Sequence, residues 1–162
     1  MIQKYTSKNT SVNHKKLPYL VSHIDWKQFK GGRCLDYGSG KLNPNTYYEI
    51  TGQGVQYLPY DPYWLEETTN NKAMSLYPTV VICSNVLNVI AENEIIHHIH
   101  SYIRGLKVPY FIKIYEGDKS YIRRETKKDC FQRNEETSEY LYHDEIIYKG
   151  IITLPEYKKY II

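Results

Sequence analysis

The chain has 162 residues, 41% of them apolar and 24% charged, which is the length of one domain and a composition able to bury a core; wholesale disorder is excluded. No window approaches the roughly 18 uncharged apolar residues of a membrane-spanning helix, and the opening MIQKYTSKNTSVNHKK lacks the apolar stretch of a signal peptide, so a cytoplasmic protein with no membrane partner is expected. The net charge of +3 is unevenly spread: residues 1–33 carry seven Lys or Arg and one acid, the remainder 14 and 17. A basic arm ahead of a mildly acidic body fits a polyanionic partner, and equally a solvated terminus.

Residues 1–16 show no apolar period and read as a basic N-terminal arm whose order depends on a partner; residues 17–162 read as a single domain. Leu17, Leu20, Val21 and Ile24 fall at helical spacing and predict a short helix over 17–24, with Pro18 in its first turn. Gly31-Gly32 ends that pattern. Residues 33–37 then read as a buried strand entering the turn Gly38-Ser39-Gly40, residues 45–50 as a helix entered through Pro44, and residues 55–60 as a second strand delivering Asp61. This is a β-α-β unit.

Residues 66–72 offer little more than one turn of helix, and residues 80–83 form a β-branched run typical of a central parallel strand. From Glu92 to Leu106 the period returns to that of a helix, with Ile95, Ile96, Ile99, Tyr102, Ile103 and Leu106 on one face. On this wheel His97 and His100 lie opposite the stripe and His98 at its border, so no metal site is expected. The cysteines Cys34, Cys83 and Cys130 have neither disulfide-framework nor zinc-ligand spacing. Residues 108–115 predict a strand opening at Pro109, residues 119–139 a long polar connection, and residues 146–154 a C-terminal hairpin turning at Lys149-Gly150.

Two glycines after a first strand and an acid at the end of a second form a nucleotide-binding arrangement: glycines let a ligand approach the backbone, and a carboxylate can accept ribose hydroxyls. Asn43 stands where the third glycine of GxGxxG belongs, which disfavours NAD. Asp61 before Pro62 also fits a turn cap, and Asp61-Pro62-Tyr63-Trp64 lacks the second proline of an amino-methyltransferase box. Within residues 115–134, basic side chains alternate with Tyr115, Tyr121 and Phe131, a pattern suited to phosphates and bases and equally to an exposed charged helix.

The string Leu35-Asp36-Tyr37-Gly38-Ser39-Gly40 resembles the first motif of class I S-adenosylmethionine-dependent methyltransferases, and Tyr60-Asp61 resembles their acidic second motif. The segments LDYGSGK, YDPY, SNVLNVI, YEGDKS and NTSVNHKKLP are further similar to methyltransferases of phages and of gene clusters linked to DNA phosphorothioation. The resemblance implies a Rossmann-like α/β fold, a mostly parallel sheet flanked by helices, that binds S-adenosyl-L-methionine in a bacterial or phage-infected cell, and the short spacing from Asp61 to Val80 leaves little room for the usual third strand, so a reduced form is expected. It implies that Asp36, Gly38, Gly40, Asp61, Asn85 and Val86 bind the cofactor and that Asn85 and Glu116 are catalytic. Lys15, Lys16, Arg123, Arg124, Lys127 and Lys128 are then the candidate substrate-binding residues for a nucleic acid or nucleotide acceptor. Lys41 is an unusual neighbour for a sulfonium, which keeps open a protein that binds, senses or degrades the cofactor without methylating an acceptor.

Overall fold

A computed structural model describes residues 2–9, 15–114, 120–134 and 147–148. In chain order its elements are α1 (Tyr19–His23), a 3-10 turn (Trp26–Phe29), β1 (Arg33–Tyr37), α2 (Pro44–Gly52), β2 (Gln56–Tyr60), α3 (Glu67–Ser75) and β3 (Val80–Ser84). A second 3-10 turn (Leu87–Val89), α4 (Asn93–Gly105), β4 (Tyr110–Lys113), β5 (Arg124–Lys127), β6 (Cys130–Gln132) and β7 (Ile147–Tyr148) follow. The chain is an α/β protein.

Strands order as β2-β1-β3-β4-β7, and every pairing is parallel. Alternation along the strands sends side chains into two cores. Cys34, Val80, Ile82 and Phe111 meet Leu20, Val21, Trp26 and Ile50 from α1, the first 3-10 turn and α2. On the opposite face Leu35, Leu58, Val81, Cys83 and Ile112 meet Ala73 of α3 and Ile95, Ile96, Ile99 and Ile103 of α4. With both faces covered, β3 is buried along its first four residues, as its β-branched run requires.

Several expectations need correction. Helix α3 runs nine residues rather than about a turn, because Ala73 packs into the core and the Asn70 amide bonds both the backbone N–H and the C=O of Asp61. His100 is buried rather than opposite the apolar stripe: it lies four residues after Ile96 and three before Ile103, both fully buried. Pro109 precedes β4 rather than opening it, its carbonyl accepting from the Val81 N–H. Residues 124–132 form an antiparallel hairpin, β5 with β6, in place of a charged helix. At the C-terminus, Ile147–Tyr148 pairs in parallel with β4; the remainder of the expected C-terminal hairpin lies outside the described residues.

Residues 2–9 of the arm lie against the β5–β6 turn. Asp129, in the β5–β6 turn, accepts from the Thr6 N–H (2.9 Å), the Thr6 hydroxyl (2.6 Å) and the Lys8 N–H (2.9 Å), while its backbone carbonyl accepts from the Ser7 N–H. Tyr5 stacks on Phe131 at 5.0 Å. No helix among the described residues is long and apolar enough to cross a membrane.

One contact fixes how closely the turn after β1 approaches the turn after β3. Gly38 has φ +80°, and a Cβ built on it would stand 2.4 Å from Val86 Cγ2. Gly38→Ala is therefore expected to cost about 1–3 kcal/mol through overpacking and a further 1–2 kcal/mol or so through the left-handed backbone. Denaturant melts should show Val86→Ala recovering the first part in the double variant and not the second.

Candidate functional site

β2 lies on one side of β1 and β3 on the other, and the chain leaving β1 enters α2 on one face while the chain leaving β3 enters α4 on the other. Such a reversal opens a crevice at the carboxyl ends of the strands. A cleft of about 560 Å³ lies there, within the ordinary range for small-molecule sites. It is lined by the turn after β1 (Gly38, Ser39, Gly40 and Lys41), the turn after β2 (Asp61 to Trp64) and the turn after β3 (Asn85 and Val86). All six residues expected to bind a cofactor, Asp36, Gly38, Gly40, Asp61, Asn85 and Val86, line this one cleft.

The glycine turn is tied to the end of β2. The Gly38 and Ser39 N–H groups both donate to the Tyr60 carbonyl, at 2.8 and 3.1 Å, and the Gly40 N–H donates to Asp61 Oδ2 at 2.9 Å. Gly40 has φ +65° with nothing within 4 Å of where a Cβ would stand, so its open side is available to a ligand.

Asp61 also accepts at Oδ1 from the Tyr63 and Trp64 N–H groups. It caps the turn after β2, and three of its roughly four acceptor positions are filled. At most one further hydroxyl is accommodated, on Oδ2, where the sequence pattern pointed to two. Burial pushes its carboxyl above the ordinary value, while the three backbone bonds act in the opposite direction.

Asp36 is 7% exposed. Burial pushes its carboxyl up to about 7; the hydrogen bond donated by the Tyr57 hydroxyl opposes the rise, and nearby Asp61 adds to it. The two carboxylates thus differ in kind, one a turn cap and the other a buried acid that titrates near neutrality.

Asn85 is exposed at φ 58°, and its N–H donates to the Lys113 carbonyl. Glu116 lies outside the described residues, as does Tyr115. Lys16 lines the cleft, whereas Arg123, Arg124, Lys127 and Lys128 are exposed on the hairpin segment outside it; Lys15 is exposed beside Lys16, its carbonyl accepting from the Asn45 amide. Phe131 is buried under Tyr5 and is not placed to stack on a base.

Sequence reasoning missed several lining residues. Gln3, Thr6 and Ser7 line the cleft on a segment held by Asp129, 123 residues after Thr6, and nothing local marks that contact. His98 reaches the lining from the border of the α4 stripe. Tyr57 and Tyr60 were legible in β2, and Tyr63 and Trp64 in the YDPY motif and the residue after it, but their convergence depends on the turn that Asp61 caps. Among the described residues no group of three or more His, Cys, Asp or Glu is placed to hold a metal. Compared with protein-family models, curated proteins and solved structures, the chain matches none.

Two measurements test this electrostatic reading. Asp61→Ala removes a charged acceptor from three N–H groups and should destabilise the ligand-free protein by about 1.5–3 kcal/mol or more, the worth of at least one such bond. Asp36 has a folded pKa near 7 against about 3.9 when unfolded, so from roughly pH 4 to 7 the folded chain binds the extra proton and stability falls as pH rises. Denaturation at pH 5 and pH 8 should show this decline in the parent and a smaller one in Asp36→Asn.

Proposed function

We propose that the chain is an S-adenosylmethionine-dependent methyltransferase with a reduced Rossmann-like fold, acting on a nucleic acid or nucleotide acceptor. The observation that carries this reading is the convergence of the glycine turn, Asp61 and the Asn85-Val86 turn on one cleft at the point where strand order reverses. The short α3 connection joins β2 directly to β3, as the reduced form of that fold requires.

The residues present suit such a ligand. Gly40 leaves an open side where the ligand backbone would pass, Asp61 retains room for one ribose hydroxyl, and the rings of Tyr60, Tyr63 and Trp64 line the wall beside it. Asp36, with its proton near neutrality, offers a hydrogen-bonding partner at the other side of the glycine turn. When bound, the cofactor supplies a methyl group on a sulfonium that is already a good leaving group. The chain's task is then alignment, which supplies roughly 7–11 kcal/mol in favourable cases. Asn85, exposed in the cleft lining, would orient the acceptor, and Lys41 is exposed at the rim of the cleft.

A second reading draws on a separate observation. Lys41, exposed in the cleft lining beside the glycine turn, is an unusual neighbour for a sulfonium, which suits a chain that binds, senses or degrades the cofactor without methylating an acceptor. Calorimetry with S-adenosylmethionine and S-adenosylhomocysteine, followed by product analysis with and without nucleic acid, separates the two. Methyl transfer predicts S-adenosylhomocysteine only with acceptor present; binding without product favours the second reading, and no binding overturns both. Gly40→Ala is expected to cost the ligand-free protein only about 1–2 kcal/mol of backbone strain while weakening cofactor binding tenfold or more.

A further inference from the structure

The β5–β6 hairpin and the segment leading into it carry an exposed surface that the cleft chemistry does not use. Tyr121 has φ +60°, a left-handed conformation rare for a bulky side chain. It is held by its neighbour across the hairpin: the Tyr121 N–H donates to the Asn134 carbonyl at 2.9 Å, and the Asn134 amide donates to the Ile122 carbonyl at 2.9 Å. Asn134 is itself buried and left-handed, at φ 52°. This arrangement places Tyr121 64% and Ile122 60% exposed, two large apolar side chains standing in water directly before Arg123 and Arg124. Backbone strain retained to expose an aromatic ring points to something the ring meets.

Among the described residues the exposed charges around it are mostly basic. Arg124 and Lys127 bound a strand whose four residues are all exposed, Lys128 follows in the turn, and Asp129 draws the backbone of Lys8 against that turn. Residues 1–24 contain no acid. The Asp129 carboxylate is occupied by three donors from the arm, and Glu125 accepts from the Asp129 N–H. The surface also has a fixed relation to the cleft. Thr6 and Ser7 both bond Asp129 and line the cleft, and the buried Arg133 guanidinium bonds the Ile90 and Ala91 carbonyls and Asn93 Oδ1, tying β6 to the segment after β3.

We propose that Tyr121, Arg123, Arg124, Lys127, Lys128 and Lys8 form a binding surface for single-stranded nucleic acid, with a base stacked on Tyr121 and the phosphates following the cations toward the cleft. An exposed ring among basic side chains is the combination that holds unpaired strands, since every base offers a π face and every linkage a charge. The proposal rests on the methyltransferase reading only for what happens at the cleft; strand binding itself needs no cofactor.

Fluorescence anisotropy with labelled single-stranded and duplex oligonucleotides of one sequence, without cofactor, tests it. Single strands should bind more tightly than duplex, with a log–log salt slope of about −2 to −4, that is −0.7 for each of three to five neutralised phosphates. Arg124→Ala and Lys128→Ala should each flatten the slope by roughly 0.7. Tyr121→Ala should weaken binding roughly 5- to 150-fold and Tyr121→Phe should restore it. Melting curves show whether each variant is folded, and calorimetry with S-adenosylmethionine on the same variants should be unchanged, which separates failure here from failure of the cofactor reading. Salt-insensitive binding, equal competition by polyglutamate, preference for duplex, or Tyr121→Ala binding like the parent overturns the proposal.

Discussion

The reversal of strand order at β1 is the constraint on which the rest depends. Because β1 crosses over to β2 on one side and β3 to β4 on the other with the same hand, the backbones leaving β1 and β3 go to opposite faces, and the space between them must be filled by side chains or by a ligand. Gly38 sets the width of that space, since its missing Cβ lets Val86 close against the turn. Asp36 lies two residues before this contact, Gly40 two residues after it, and Asp61, at the end of the neighbouring strand, accepts from the Gly40 N–H.

The polar groups of the turns are satisfied within the protein. The N–H groups of the glycine turn bond the end of β2, Asp61 caps its own turn, and Asn70 braces that turn from α3. A cleft built this way has its shape before any ligand arrives, which lowers the ordering cost of binding. The two carboxylates within it show how position decides chemistry. Asp61 is held by backbone donors at a loop, whereas Asp36, on a buried strand position with one phenolic partner, retains its proton to near neutrality.

The rim is assembled from distant parts of the chain. Thr6 and Asp129 are 123 residues apart, and their contact closes most of the chain into one loop. Closing so long a loop costs entropy that grows slowly with length, and it is offset by several bonds gathered on one carboxylate together with the Tyr5–Phe131 stack. The hydrogen bonds from Thr6 and Lys8 outweigh the slight burial of Asp129 and hold its carboxyl below the ordinary value, so the clasp carries full charge at neutral pH.

Strand β1 was legible at the same bounds, 33–37, and α4 to within a residue at each end, because burial on two faces and a helical apolar stripe each leave a periodic signature in the chain itself. The turn glycines and Asp61 were legible for a similar reason: positive φ and strand ends select particular residue types. What Asp61 bonds to, how far α3 extends, that His100 is buried and that the polar stretch after β4 folds into a hairpin were settled by partners remote in sequence. The sequence by itself determined which segments alternate between strand and helix and which residues stand at the strand ends. Only the tertiary structure decided that these ends meet in one cleft and that the basic arm lies against the hairpin, because periodicity records how a segment is buried and carries no record of what buries it.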